Sequence, residues 1–237
     1  MSAVGSPSAA PPVVAQRFHR LAGDLSTERL ARGTRDNLVG MLLERVFGVG
    51  LFLLLPFMVP ASTLGHYYEI VALLTLCTGV GLLGLDVGVT RFTALAAERG
   101  AFGDIRAYLR AGIVAAAVSG AILAMGLYAL APSLSRVFGG AGFASSVRIG
   151  ALAVPVLILA YVLVAPGRGL KSMWPAVATI QIAQPGVQLL ATVGLVAAGY
   201  GLGGAVGAFT VSAAASLAIG VWFLRRLKLP LSAERPP

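Results

Sequence analysis

The stretch Leu38–Val59 reads LVGMLLERVFGVGLFLLLPFMV and decides the fold. All of its residues are apolar or glycine and proline except the adjacent pair Glu44 and Arg45. A helix rises 1.5 Å per residue, so about 20 apolar residues cross the hydrocarbon core of a bilayer. The stretch therefore predicts a transmembrane helix that carries two charges inside the membrane.

Further apolar stretches of spanning length follow along the chain. Peptide groups inside a bilayer must form hydrogen bonds within their own segment, which predicts helices. The stretches lack the short alternating pattern of barrel strands. The predicted fold is all-α, a polytopic membrane bundle of about six transmembrane helices. The further predicted spans are Tyr68–Val87, Ala111–Leu130, Ile149–Ala165, Ala176–Ala198 and Ala205–Leu224.

Composition supports a membrane protein. Hydrophobic residues make up 57% of the chain and charged residues 11%, whereas soluble domains carry about 25% charged residues. The mean hydropathy is +0.87. Cys77 is the single cysteine, which excludes a disulfide framework or a cysteine metal cluster.

The formal net charge of +9 follows a topological pattern. Arginine and lysine concentrate before the first span, in the second and fourth loops and in the tail, while the odd-numbered loops hold only Arg136 and Arg148. Basic loops stay in the cytoplasm, so both termini are predicted there. The basic segments lack interleaved aromatic residues, which argues against a nucleic-acid partner.

Three regions are expected. Residues 1–36 are predicted to pass from disorder into a cytoplasmic segment, in which Ala15–Arg35 is either an amphipathic helix on anionic lipids or a solvated linker. Residues 37–226 form the six-helix lobe, and residues 227–237 form a cytoplasmic tail.

The charged pair in the first span is the first candidate site. Glu44 and Arg45 lie about 10 Å from its predicted cytoplasmic edge, where a charge costs about 2.5–3.5 kcal/mol. Adjacent helical residues point about 100° apart, so the two side chains do not pair readily with each other. Either Arg45 lines a translocation path, or it is paired within the bundle or extended towards the lipid phosphates.

The fifth predicted span carries a polar stripe. Gln181, Gln184, Gln188 and Thr192 are spaced to lie on one helical face, and Pro185 interrupts the helix beside them. The stripe indicates either the wall of a hydrated cavity or hydrogen bonding between helices.

The predicted cytoplasmic rim holds Asp86, Arg91, Arg99, Arg168 and Lys171. Arg91 and Lys171 are candidates for a positive entrance that attracts a phosphate group. The alternative is that these residues fix the topology and bind anionic lipid head groups.

The sequence lacks the signatures of an enzyme. His19 and His66 lie near opposite predicted membrane faces, and no phosphate-binding glycine loop or nucleophile motif is present. The chain is therefore expected to have no catalytic residues, cofactor or metal, and to move a substrate without changing its bonds.

Short motifs mark the ends of the predicted spans: Arg32-Gly33, Leu64-Gly65-His66-Tyr67-Tyr68, Gly84-Leu85-Asp86-Val87-Gly88, Arg91-Phe92, Arg168-Gly169-Leu170-Lys171 and Gly199-Tyr200-Gly201. Their order over residues 30–226 resembles the N-terminal lobe of polysaccharide flippases in the multidrug/oligosaccharidyl-lipid/polysaccharide exporter superfamily. The resemblance implies flipping of undecaprenyl-diphosphate-linked saccharides through a central cavity between two lobes. It places Arg45 and Gln181–Gln188 in the cavity and Arg91 and Lys171 at its entrance.

The resemblance also implies a location in the inner (plasma) membrane. The chain departs from that family in length, since six spans supply only one lobe. Either the sequence is a fragment of a longer protein, or the lobe pairs with a second copy or a partner chain, or transport has been lost. The expected partners are a second lobe, the lipid-linked saccharide and anionic lipids. Two other functions stay open. One is export of small cationic drugs with Glu44 or Asp86 as the counter-charge, and the other is a non-transporting scaffold that binds glycosyltransferases.

Overall fold

A computed structural model describes the backbone of residues 13–139 and 142–226 and the side chains of residues 33–101, 103–139 and 142–226. This part of the chain is built from α-helices and one π-helical segment, which confirms the all-α prediction. The helices are α1 Val13–Met58, α2 Ala61–Leu82, α3 Leu85–Glu98, α4 Phe102–Phe138, α5 Phe143–Ala151, α6 Ala153–Gly169, α7 Trp174–Ala176, the π-helix Val177–Ala183, α8 Gln184–Ala197 and α9 Gly201–Arg226.

These helices combine into six segments that are long and apolar enough to cross a membrane, so the protein is a multi-pass membrane protein. The second segment joins α2 and α3, the fourth joins α5 and α6, and the fifth joins α7, the π-helix and α8. The six spans are Gly33–Met58, Ala61–Glu98, Gly103–Phe138, Phe143–Gly169, Trp174–Ala197 and Gly201–Arg226.

The second and third spans exceed their predicted lengths the most, with 38 and 36 residues where the sequence predicted Tyr68–Val87 and Ala111–Leu130. Residues 88–110 were expected to form a basic cytoplasmic loop, but α3 continues to Glu98 and α4 begins at Phe102. The hydropathy of this region falls because of its arginines, not because the helices end. The second and third spans therefore extend as a helical hairpin beyond their most apolar part.

The ends of the chain are described in part. The helix α1 begins at Val13 and runs without interruption into the first span, so residues 13–36 are helical. The predicted disorder of residues 1–12 and the predicted cytoplasmic tail, residues 227–237, lie outside the described residues.

The fourth span is the centre of the bundle. It packs against α2, α3, α4 and α9, and its side chains Val154, Ile158 and Val162 are fully buried. Glycines permit the close approach of its neighbours: a Cβ atom on Gly120 of α4 would lie 2.7 Å from the Cα atom of Pro155. Such contacts between backbones are the usual basis of helix packing in membranes.

The first span lies at the edge of the bundle. It packs mainly along the fifth span and contacts α2 only near its end. Most of its large apolar side chains are exposed, among them Leu42, Phe52 and Phe57. Because α1 lies at the edge, one side of it is not covered by the rest of the bundle, and its other side packs along the fifth span, where the candidate site lies.

Candidate functional site

The seam between the first and fifth spans holds most of the residues that the sequence singled out. Gly40 is buried on α1, and a Cβ atom at this position would lie 2.6 Å from Cγ1 of Val177 and in contact with the amide of Gln181. Further along, the ring of Phe47 packs over Gly186. The glycine on each helix lets the two backbones approach, so polar side chains can meet across the seam.

The inner polar contact of this seam joins Gln181 to Asn37. The Nε2 atom of Gln181 donates a hydrogen bond of 3.0 Å to Oδ1 of Asn37 on α1. The Oε1 atom of Gln181 is buried, and no partner for it exists among the described side chains. This oxygen packs against Gly40 of α1, and an acceptor of this kind is costly to leave unpaired.

The outer polar contact joins Gln188 to Tyr67. The Nε2 atom of Gln188 donates a hydrogen bond of 3.1 Å to the hydroxyl oxygen of Tyr67 on α2, and that tyrosine is only 1% exposed. The ring of Tyr68 lies edge-on to it at 5.3 Å. The buried hydroxyl of Tyr68 also lacks a partner among the described side chains.

The π-helix explains why the glutamines reach different neighbours. Pro185 has no N–H group to continue the α-helical ladder, and the segment before it has changed to wider turns, with the N–H of Gln184 bonded to the carbonyl of Thr179. Within the stripe, Gln181 therefore bonds to a residue of α1 and Gln188 to a residue of α2. Gln184 lies between the two contacts, half-buried.

The last polar residue of the stripe, Thr192, is surrounded by other residues of the bundle. The side chain of Thr192 is fully buried, and its hydroxyl lacks a partner among the described residues. The two pairs, Gln181–Asn37 and Gln188–Tyr67, are interhelical hydrogen bonds of the kind that the second interpretation predicted. The unpaired buried oxygens beside them show that these bonds do not use up the polar groups of the seam.

Glu44 and Arg45 are separated by the turn of α1. Both are exposed, and neither forms an ion pair with another described side chain. By helical spacing Glu44 shares the face of Gly40 and Phe47, which is the face turned to the fifth span. Arg45 lies about 100° away, towards the exposed apolar side of α1, so the structure does not bring it together with the glutamines.

A tyrosine that the sequence analysis did not single out lies within the fourth span. Tyr161 is half-buried on α6, the helix that carries Arg168 near its end. Arg168 and Asp86 are paired, with 3.6 Å between Nη1 and Oδ2. The only sequence signal for this tyrosine was a single hydroxyl within the apolar stretch Ile149–Ala165.

The proposed entrance residues lie at one end of the bundle. Gly169 packs against the backbone of Thr90, which brings the end of α6 beside α3. Arg91 follows on α3 and is exposed, and Lys171 is exposed in the turn after α6 with a left-handed φ of 61°. Arg168 is paired with Asp86, whereas Arg91 and Lys171 form no ion pair with a described side chain.

The described polar side chains therefore form a line along the seam between the first and fifth spans, which we call the polar line. It begins at Asn37–Gln181, continues past Glu44 and Gln184, and ends at Gln188–Tyr67. Among the described residues, no group of three or more histidine, cysteine or acidic side chains is placed to hold a metal ion. Comparison of the chain with family models, with curated proteins and with solved structures finds no match in any of the three.

Proposed function

We propose that the chain is one lobe of a flippase-like exporter that moves undecaprenyl-diphosphate-linked saccharides across the cytoplasmic membrane. The observation that carries the proposal is the polar line within the spanning part of the bundle, with its unpaired oxygens at Gln181 and Tyr68. Polar groups are expensive in hydrocarbon, and a wet path for a polar head group is one reason to retain them.

The chemistry of the line suits a sugar diphosphate. Amide N–H groups and tyrosine hydroxyls donate hydrogen bonds to phosphate oxygens, and an amide oxygen such as that of the half-buried Gln184 accepts hydrogen bonds from sugar hydroxyls. Arg91 and Lys171 supply positive charge at the predicted cytoplasmic end, where a diphosphate would enter.

The edge position of α1 suits a substrate with a long lipid tail. The seam lies beside a helix whose outer face is exposed, so the polyisoprenyl chain can remain in the bilayer while the head group follows the polar line. Arg45 lies about 18 Å along the first span from Gly33, on that exposed side. We propose that it faces a second lobe, supplied by a second copy or a partner chain, and closes the cavity there.

The test is translocation of a lipid-diphosphate-saccharide in reconstituted vesicles. Arg45→Ala and Gln184→Leu are expected to reduce the rate by tenfold or more, on the scale of about 1.4 kcal/mol per factor of ten. Arg136→Ala is the matched control, because that arginine is exposed near the C-terminal end of α4, opposite to the predicted cytoplasmic end. Rates equal to those of empty vesicles for the unaltered chain, with or without a second lobe, contradict the proposal.

The position of Glu44 supports a second candidate function, export of small organic cations. Residue Glu44 lies on the face of α1 turned to the fifth span and is without an ion-pair partner among the described side chains. Asp86 is less suited to the role because it is paired with Arg168. Glu44→Gln is expected to abolish accumulation of a cationic dye in vesicles if this function is correct and to spare saccharide-lipid flipping.

A further inference from the structure

A groove lies between α3 and α4, formed by residues other than those of the polar line. Its volume is about 320 Å³, near the lower end of the ~300–1,000 Å³ range for small-molecule sites. Its walls are almost wholly apolar. The residues that line the groove include Leu83, Leu85, Gly88, Phe92, Tyr108 and Ala111.

The backbone creates this groove. Leu83 and Gly84 both have left-handed φ angles, 46° and 74°, and interrupt the second span between α2 and α3. A left-handed leucine is conformationally costly and is retained only where the surroundings hold it. The hydroxyl of Ser119 donates a hydrogen bond of 2.8 Å to the carbonyl of Gly81, two residues before Leu83, which ties α4 to the chain just before the break.

Small side chains keep the groove open. A Cβ atom on Gly88 would meet no heavy atom within 4 Å, and the backbone there is ordinary α-helix. Ala111 on α4 is exposed at the opposite wall. A longer side chain at either position would therefore fill the space without displacing the helices.

One end of the groove is aromatic and then basic. The rings of Phe92 and Tyr108 stack at 5.2 Å with 27° between their planes, at the end nearer the α3–α4 turn. Near these two rings, α3, α4 and the turn between them carry four arginines, and none of the four forms an ion pair with a described side chain. The four are Arg91, Arg99, Arg106 and Arg110.

Acidic residues on this hairpin do not neutralise the arginines. Glu98 and Asp104 are exposed, and Asp86 is paired with Arg168 of the fourth span. Arg91 and Arg110, both exposed, each directly adjoin a groove residue in the sequence. The apolar groove thus leads to a rim with excess positive charge, in a helical hairpin at the predicted cytoplasmic side.

We propose that this groove binds one acyl chain of an anionic phospholipid of the cytoplasmic leaflet, with the phosphate held by Arg91 and Arg110. Lipid surrounds the spanning helices, so a lipid chain is the molecule available to fill the groove. Moving an acyl chain from bilayer to groove gains little by the hydrophobic effect, because both environments are apolar. Selectivity therefore comes from the fit of the chain and from the attraction of the arginines for a negative head group.

The groove is separate from the polar line, since the polar line lies against α1 and α8 and the groove lies between α3 and α4. Arg91 is shared, because it also stands at the proposed entrance of the transport path. The lipid is a bound component of the lobe and is not the exported substrate, and its retention is measured without transport, so the two proposals are tested independently.

The experiment measures lipids retained by the full chain purified in detergent, by native mass spectrometry, after exchange with equal amounts of dioleoyl phosphatidylglycerol and dioleoyl phosphatidylcholine. The unaltered chain is expected to retain the anionic lipid about tenfold more strongly, since each arginine near the surface adds to the attraction. Gly88→Leu is expected to abolish this retention, and Ala111→Phe to do the same from the opposite wall.

Matched controls separate the groove from the charge. Gly79→Leu adds the same side chain at an exposed position of α2 with no atom within 4 Å of its Cβ, and is expected to retain lipid normally. The double variant Arg91→Gln/Arg110→Gln is expected to retain both lipids equally, and Arg136→Gln to keep the preference. Normal retention by Gly88→Leu and Ala111→Phe shows adhesion to surface arginines alone and overturns the proposal, as does equal retention of the two lipids by the unaltered chain.

Discussion

The first and fourth spans are nearly equal in hydropathy, 2.1 and 2.4, and opposite in their surroundings. In the fourth span 67% of the most apolar window is buried by protein, against 11% in the first. Hydropathy measures the cost of removing a helix from water and does not distinguish lipid from protein as the new neighbour. The residues that make the difference are small ones, since glycine and alanine let helices surround the fourth span.

The same comparison separates stability from function. The fourth span provides buried apolar contacts on all sides, whereas the first provides two charges, an open face and a seam of hydrogen bonds. A helix that contacts one neighbour closely can move relative to the rest of the bundle at lower cost than a central one. This is why we place the proposed path beside the first span.

The largest expected effect tests the cost of charge in the first span. Arg45→Leu is expected to make membrane insertion of Gly33–Met58 more favourable by about 3 kcal/mol, because arginine near the middle of a span costs that much on the insertion scale. Insertion is measured with a glycosylation reporter that carries this segment. Arg35→Leu, at an exposed residue before the apolar stretch, is the control and is expected to change insertion little.

A weaker but more local effect tests the packing of the fourth span. Gly120→Ala is expected to lower the free energy of unfolding by about 1–3 kcal/mol, because its Cβ would overlap the backbone of Pro155. Gly48→Ala in the first span meets no atom within 4 Å and is expected to be neutral or to stabilise by up to about 1 kcal/mol. Unfolding by dodecyl sulfate in mixed micelles measures both, and equal effects would contradict the contrast between the spans.

The sequence predicted the spans well because their signal is local. Each of the six predicted stretches lies within, or within one residue of, a span of the structure, since about 20 consecutive apolar residues identify a membrane helix without any knowledge of its neighbours. The break at Leu83–Gly84 was not predicted, because leucine carries no signal for a left-handed backbone. The contacts around the break hold it, and these are not visible in a local stretch of sequence.

The candidate site was predicted as residues and not as an arrangement. Intramembrane glutamines and charges are rare enough to be singled out, and Pro185 indicated a change in the helix beside them. The pairing of Gln181 with Asn37 and of Gln188 with Tyr67 depends on which helices adjoin the fifth span. The single hydroxyl of Tyr161 had no pattern around it, so the sequence did not single it out.

The ion pair at the inner end of the fourth span provides a smaller test. Asp86→Asn and Arg168→Gln, made singly and together, are expected to show a coupling of about 0.5–1 kcal/mol in the free energy of unfolding. The pair is 3.6 Å apart and still 21–30% exposed, so solvent screens much of its attraction. A coupling near zero would mean that α3 is held to α6 by the packing around Gly169 and Thr93 and by the hydrogen bond of 3.3 Å from the Thr90 hydroxyl to the Ala165 carbonyl.

The smallest expected effect concerns the hydrogen bond between Gln188 and Tyr67, which ties the fifth span to the second beside the open first span. Tyr67→Phe and Gln188→Leu are expected to be coupled by about 0.6 kcal/mol in the free energy of unfolding, the average for such bonds between membrane helices. Tyr161→Phe paired with Gln188→Leu is the control and should show no coupling, since that hydroxyl makes no bond to the amide. A coupling well above 1 kcal/mol would indicate that the polar line is a rigid seam, in which case bonds formed for stability leave little room for a moving head group.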